Sequence, residues 1–283
     1  MKHVFLIKPS PDQSKSDSLV KNIARVMEGR DYEIYFSEYK DHVKEIVKNY
    51  PEKARFYSVG GDGFFNQVIQ NLVHTNHEVV CLPFGTGNDF SRAIHRHMSP
   101  EAIIKATLDR PAIPIDTILV NDERYCVNVG CFGHDALIAN TVHDVKTPKS
   151  AAYVASILRN ISHYKFAKVK VMGKNGLLFN DQVTLCAFCN GRFYGGGFQI
   201  SPRSKINDGL IDMVILPKVN RLFAPYYIYK ILRKDLISCQ DVVVKQVKEC
   251  VITTPAAMNL DGEKKVAAKY HLVVQPKSLN LVI

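Results

Sequence analysis

The chain has 283 residues, 46% of them hydrophobic, which is enough for two domains with cores of their own. Thirty-seven basic residues outnumber 27 acidic ones, a net charge of +10 that suits nucleotide phosphates, anionic lipid or nucleic acid. The lysines are spread along the chain with no basic arm or nucleic-acid motif, so nucleic acid is not an expected partner. No stretch approaches the ~20 apolar residues of a membrane span.

The first 117 residues alternate strand and helix. Val4–Ile7 reads as a buried strand, interrupted by charge too early for a signal peptide, and a cytoplasmic location is expected. Leu19, Val20, Ile23, Ala24 and Met27 recur at helical spacing. Tyr32–Phe36 is a strand, and Val43, Ile46, Val47 and Tyr50 mark a helix ended by Pro51. Arg55–Val59 is the next strand, followed by a helix marked by Phe65, Val68, Ile69, Leu72 and Val73. His74 and His77, at its end, read as solvated. Val79–Leu82, helices near 89–97 and 100–108, and a last strand at Ile113–Val120 complete a βαβ series with a parallel sheet.

From about 121 the pattern changes. Tyr125–Val129 reads as a strand, with helices near 134–143 and 150–163. Short strands follow at 167–173, 182–190, 210–216, 242–247, 250–254, 258–260, 271–275 and 279–282, which suggests a mostly antiparallel sandwich. Gly191–Gly197 reads as a loop too flexible for a strand. The helix Leu222–Arg233 is rich in tyrosine and has two readings, a packed helix or an aromatic and basic membrane anchor. Seven scattered cysteines, an odd number, read as reduced and buried. Cys186 and Cys189 lie three apart in a strand and so point to opposite faces. The expected domains are 1–117 and 118–283, meeting near Asp116, where a cleft would hold a substrate.

Two glycine-rich turns carry the chemistry of the first half. Ser58–Asn66 includes Gly60, Gly61, Asp62, Gly63 and Phe64, and Leu82–Phe90 includes Gly85, Thr86, Gly87, Asn88 and Asp89. Each joins an apolar strand to a helix, so both belong on the carboxyl edge of one parallel sheet, where such folds bind ligands. Glycines let backbone amides approach a phosphate, and a helix N-terminus adds positive potential. An acid inside such a turn would repel a phosphate unless a divalent cation lay between them. In the second half, Asp208-Gly209 and Asp261-Gly262-Glu263 place carboxylates at turns. Asp-Gly is also the commonest hairpin signal, so either one alone is structural more often than not. The pair Asp261 and Glu263 could bind a cation or take a hydroxyl proton.

Together these segments resemble the diacylglycerol kinase catalytic family, which includes bacterial diacylglycerol kinases and sphingosine kinases. The motifs are Gly60-Gly61-Asp62-Gly63 with Asn66, Pro83 to Phe90, Asn128-Val129-Gly130 with Gly133-His134-Asp135-Ala136, Asn190 with Gly195-Gly196-Gly197, Asp208-Gly209 and Asp261-Gly262-Glu263. They occur in family order over nearly the whole chain. The resemblance implies an ATP-binding α/β domain related to NAD kinases and phosphofructokinases, then a β-rich lipid-binding domain. It implies ATP contacts from Gly60 through Asn66 and from Thr86, Gly87 and Asn88. Lys8, Pro9 and Ser10 occupy the first phosphate loop, and Ser37 stands where a nucleotide-contacting threonine is common. It further implies a magnesium-linked network of Asp62, Asp89 and Asp116. A structural Mg2+ site is implied at Lys205, Asp208 and Leu210, the first and last acting through carbonyls. Glu263 matches the proton acceptor for a lipid hydroxyl, with Asp261 beside it.

Two departures stand out. The first loop, Lys8-Pro9-Ser10-Pro11-Asp12, lacks the family's glycine, and Phe64 replaces a threonine. A lost charge-assisted hydrogen bond costs roughly 1.5–3 kcal/mol, so weak ATP binding is expected unless the charge of Lys8 compensates. Three functions compete. The first is an ATP-dependent lipid kinase, converting diacylglycerol to phosphatidic acid at the inner face of the membrane as a peripheral protein. The others are a kinase of a soluble substrate and a catalytically weak lipid-binding protein. Sheet edges in the second domain could also pair two copies into a homodimer.

Overall fold

The computed structural model describes residues 1–39, 41–85, 87–96, 98–133 and 166–283. The expected helices near 134–143 and 150–163 lie outside the described residues. Contacts divide the chain into two units, Met1–Ile115 with Lys277–Ile283, and Asp116–Pro276.

The first unit runs β1 (Lys2–Ile7), α1 (Gln13–Val26), β2 (Tyr32–Phe36), α2 (His42–Lys48), β3 (Ala54–Gly60), α3 (Asp62–Ile69), β4 (Glu78–Pro83), α4 (Asp89–His95) and α5 (Pro100–Thr107). Its strands stand in the order β2-β1-β3-β4, all parallel. Every residue of β3 is buried, as a strand covered on both faces must be. Phe5, Ile7, Tyr57, Val59 and Leu82 pack with Leu19, Ile23 and Met27 of α1 and with Ile103 and Ile104 of α5. The helices start where side chains satisfy their first amides. Asp12 accepts from Lys15 N–H at α1, and Ser99 accepts from Ala102 N–H at α5. Buried Arg55 pairs with Glu78 at 2.6 Å and donates to the carbonyls of Thr107, Leu108 and Arg110 at the end of α5. His77 is buried rather than solvated, because its Nδ1 accepts the Ala54 N–H and its ring meets Phe56 edge-on.

The fifth strand departs from the expected parallel series. β5 (Ile113–Val120) turns through Asn121 and Asp122, both at positive φ, into β6 (Arg124–Cys126) as an antiparallel hairpin. So short a turn leaves no room for the crossover that parallel pairing needs. The parallel partner of β4 is instead the end of the chain, Asn280 and Leu281.

The second unit continues with β7 (Val129–Gly133), β8 (Ala167–Gly173), β9 (Gly176–Cys189), β10 (Phe193–Tyr194), β11 (Phe198–Gln199), β12 (Ile211–Pro217), α6 (Ala224–Leu232), β13 (Val243–Val247), β14 (Glu249–Thr253), β15 (Met258–Leu260), β16 (Glu263–Lys265) and β17 (Lys269–Leu281). The strand β9 is its spine and pairs antiparallel with β7, β8 and β12. Val183, Cys186 and Phe188 enter one apolar core, while Leu185, Ala187 and Cys189 enter another. The two cysteines thus face opposite ways, and all seven in the chain are buried and outside any disulfide. Three expectations change here. The segments 271–275 and 279–282 form one strand. The segment 125–129 splits into β6 and β7. The glycine loop 191–197 is not strandless, because β10 and β11 pair across Gly195, Gly196 and Gly197, all at positive φ. Glycine there closes a short hairpin that side chains would strain.

The first unit should be acid-sensitive. Burial holds the His95 imidazole near pKa 4; burial and then the Arg55 charge do the same for His3. Both are neutral when folded, whereas the unfolded groups protonate near 6.5. Stability from this source is therefore whole above pH 6.5 and is lost as pH falls toward 4, by about 3 kcal/mol per histidine. Thermal melts across that window should show the decline, and His95→Gln should remove about half of it.

Candidate functional site

The carboxyl ends of four strands meet on one edge of the first sheet. Lys8 N–H donates to Val59 O at 3.0 Å, Ser37 N–H to Ile7 O at 2.8 Å, and Phe84 N–H to Gly60 O at 2.9 Å. Lys8, Ser37 and Phe84 therefore follow β1, β2 and β4 side by side with Gly60, the last residue of β3. Lys8 and Pro9 are exposed there. Ser10 accepts from Asp12 N–H, and this orders the start of α1.

The two glycine turns interlock. Asp62 Oδ2 accepts the Asp89 N–H and Oδ1 accepts the Phe90 N–H, each at 3.0 Å. The carboxylate thus satisfies the first turn of α4, which its own N-cap residue Asn88 leaves without a side-chain cap. Asn88 instead closes its own turn, accepting from Gly85 N–H and donating to Gly85 O. The approach is so close that glycine is required. A Cβ on Gly85 would lie 2.5 Å from Gly61 Cα, and one on Gly87 would lie 2.5 Å from Asp62 Oδ2. Asp89 is buried and paired with Arg92 at 2.9 Å, and Arg92 also reaches the Gly87 carbonyl.

This arrangement answers the objection that an acid in a glycine turn repels phosphate. The charge of Asp62 faces the amides of α4, one turn away from its own helix. Meanwhile α3 starts at Asp62 with no side-chain cap, and its first internal bond runs from Phe65 N–H to Gly61 O. The N–H groups of Asp62, Gly63 and Phe64 have no acceptor within the helix. Free amides at a helix N-terminus are of the kind that can receive an anion. Phe64 does not obstruct it, being 4% exposed and folded against Gly60. Asn66 is fully buried, its side-chain oxygen accepting from Gln70. Thr86 lies outside the described residues.

In the second unit Asp261 is also an anchor. Its carboxylate accepts N–H groups from Val127 at 2.8 Å, Val129 at 3.0 Å and Asn128 at 3.2 Å, and the Cys126 thiol as well. Burial and this carboxylate push the Cys126 thiol pKa well up. The bend that these bonds impose breaks the expected strand 125–129. Asp261 and Gly262, both at positive φ, form the two-residue turn between β15 and β16. Glu263 follows directly, pairs with Arg124 at 2.6 Å, and stays partly open to solvent.

Asp116 accepts the Gly209 N–H at 2.7 Å, and its own N–H donates to Ile206 O, so β5 is tied to the 206–209 turn. Asp208 accepts from Leu210 N–H. Burial, and then the charges of Asp212 and Asp116, push the Asp208 carboxyl up. Asp212 is buried, with Oδ1 bound by Gln246 and Oδ2 without a hydrogen-bond partner. A cation satisfies crowded carboxylates of this kind. No three His, Cys, Asp or Glu side chains gather as a cage among the described residues. The expected set of one carboxylate and two carbonyls, completed by water, needs no such cage. Asp212, Arg124 and Arg92 were not singled out from the sequence. Only Arg92, three residues after Asp89 on a helix, had a local signal.

Comparison with solved structures places this geometry in a known class. A diacylglycerol kinase from Bacillus anthracis matches 99% of this chain and 96% of its own at TM-score 0.77 and 19% identity. An NAD kinase from Archaeoglobus fulgidus, solved with ATP, matches 100% of this chain and 93% of its own at TM-score 0.56 and 11% identity. The fold is that of the NAD kinase and diacylglycerol kinase class. Residues 2–120 match the diacylglycerol kinase catalytic domain, and residues 128–283 match the YegS C-terminal NAD kinase beta sandwich-like domain. Proteins called "Probable lipid kinase YegS-like" are 32% identical in Alcanivorax borkumensis, over 83% of this chain and 78% of theirs, and 31% identical in Pseudomonas putida, over 78% and 74%. The chain belongs to the YegS-like branch of the bacterial diacylglycerol kinase family.

Gly85→Ala should force the two turns apart, since the added methyl meets backbone rather than a flexible side chain. Isothermal titration should show at least tenfold weaker adenine-nucleotide binding, and the melting temperature should fall.

Proposed function

We propose that this protein is an ATP-dependent lipid kinase that transfers the γ-phosphate to the hydroxyl of diacylglycerol. The uncapped N-terminus of α3, held open by the Asp62 clamp, is the observation that carries the reading. Family membership supports it, since the relatives' names are those of lipid kinases. In this reading the amides of Asp62, Gly63 and Phe64 bind the phosphates, and Lys8 adds the charge that the first loop lacks in glycine amides. Ser37, Thr86, Gly87 and Asn88 complete the nucleotide contacts.

Glu263 accepts the proton as the lipid oxygen attacks the γ-phosphorus. A new O–P bond forms, the bridging P–O bond to the β-phosphate breaks, and ADP leaves. Asp261 is a positioning residue here, because its carboxylate is occupied by backbone amides and fixes the turn that bears Glu263. Bound Mg2+ would neutralise phosphate charge as it develops. Asp89 and Asp116 would belong to the network that serves the catalytic ion, with Asp62 holding the two turns rather than ligating it. Asp208, with the carbonyls of Lys205 and Leu210, would hold a structural one, and the partnerless Asp212 oxygen supports a cation nearby.

Radiolabelled ATP offered to a panel of lipid alcohols in detergent micelles, beside soluble alcohols, tests the reading. Label should enter diacylglycerol, and label found only in a soluble acceptor would overturn it. Glu263→Gln should lower turnover by roughly 10²–10⁴-fold while nucleotide binding and melting stay unchanged. Chelation should lower the melting temperature of the native chain but not of Asp208→Ala. Equal melting of the native chain with and without chelator would remove the structural ion.

A further inference from the structure

The helix α6 is apolar on both of its faces. Ala224 and Tyr227 are buried, Ile231 packs on the same core, and the Tyr227 hydroxyl donates to Asp241 at 2.6 Å. This is the ordinary inner face of a surface helix. The outer face should be polar, and it is not. On the 3-10 turn that leads into the helix Leu222 is 83% exposed and Phe223 60%, and on the helix Tyr226 is 48%, Tyr229 57% and Leu232 51%. Leu222, Tyr226 and Tyr229 follow one another at helical spacing, so they form one stripe. No other segment among the described residues exposes as many large apolar side chains in so short a run.

The charges beside the stripe indicate what covers it. Between Lys218 and Asp235 the chain carries five basic residues and one acid. That acid, Asp235, is held by Lys230 at 2.7 Å. Arg233 and Lys234 are exposed at the end of the helix, and neither has an ion-pair partner among the described residues. A second copy of the chain, itself carrying +10, would bring like charges together. An anionic phospholipid surface offers the opposite charge at the headgroups and an apolar layer beneath. Tyrosine rings suit that boundary, and lysine and arginine reach up to the headgroups from apolar stems.

We propose that the outer face of α6 docks this protein on an anionic phospholipid surface. Leu222, Phe223 and Leu232 enter the acyl boundary, Tyr226 and Tyr229 lie at headgroup level, and Arg233 and Lys234 meet lipid phosphates. No α6 residue belongs to the phosphate-binding or proton-accepting groups, so the inference does not rest on the kinase reading.

The chain has no tryptophan, so Tyr226→Trp supplies a single fluorescent reporter on the stripe. Vesicles of phosphatidylglycerol and phosphatidylcholine in equal parts, without nucleotide or any lipid alcohol, are the probe. The emission should shift to the blue on vesicle addition and be quenched by brominated acyl chains. In flotation, the native chain should bind these vesicles and release from them as salt rises. Arg233→Gln with Lys234→Asn should weaken binding roughly 10- to 30-fold, and Leu222→Ser with Phe223→Ser at least tenfold. Both variants should keep the native melting temperature, since the altered side chains are exposed. Three results would overturn the proposal. One is native binding by both variants, and another is no vesicle binding by the native chain. The third is a native dimer, seen by sedimentation velocity, that Leu222→Ser with Phe223→Ser dissolves while vesicle binding persists. Failure of the lipid-alcohol assay alone would leave these vesicle results standing, so the two readings fail separately.

Discussion

One carboxylate holds the carboxyl edge of the first sheet together. Asp62 leaves the first glycine turn and receives two amides from the start of α4, which belongs to the second. Two charge-assisted bonds of this kind are worth several kcal/mol when sheltered from water. They bring Gly85 so close to Gly61 that a Cβ on Gly85 would lie 2.5 Å from the Gly61 Cα. The consequence reaches beyond packing. With its charge spent on α4, Asp62 leaves the N-terminus of its own helix available to an anion. An acid and an uncapped helix N-terminus thereby coexist within three residues.

The same device recurs in the second unit. Asp261, at another Asp-Gly turn, receives three backbone amides from the segment between β6 and β7. There the clamp fixes a hairpin whose next residue, Glu263, pairs with Arg124 and stays partly open to solvent. Asp116, which takes the Gly209 amide, does a related job. In each case a short acid satisfies amides that no ladder or helix can. Buried amides demand such partners. The chemistry proposed for the site depends on this order, because a proton acceptor or a phosphate cradle works only when its backbone does not wander.

The same lack of local partners marks α6 from the other side. Its inner face is paid in packing against Tyr194 and Leu236 and their neighbours. Its outer face has nothing comparable among the described residues, and its flanking charges are of one sign. A soluble surface would not be built in this way without something to cover it.

Much of this was legible in the sequence because it is local. The period of two or 3.6 in apolar residues marked most strands and helices, and the glycine-rich strand ends do lie together at one edge of the sheet. Cys186 and Cys189 were assigned opposite faces by alternation alone, and they have them. What was not legible depended on partners distant in the chain. His77 is buried by Ala54 and Phe56, β5 lost its parallel place to the last residues of the chain, and 125–129 breaks because Asp261 pulls on it. The acid of the first turn was read as a cation ligand, and its engagement with α4 was invisible, since no spacing rule links a side chain to amides on the next helix. Composition and pattern therefore marked the α/β and β-rich parts, and the ordered motifs carried the resemblance to the family. Only the tertiary structure decided which of the motif residues hold backbone and which are left for a ligand, because a carboxylate's role is set by the donors that folding brings to it.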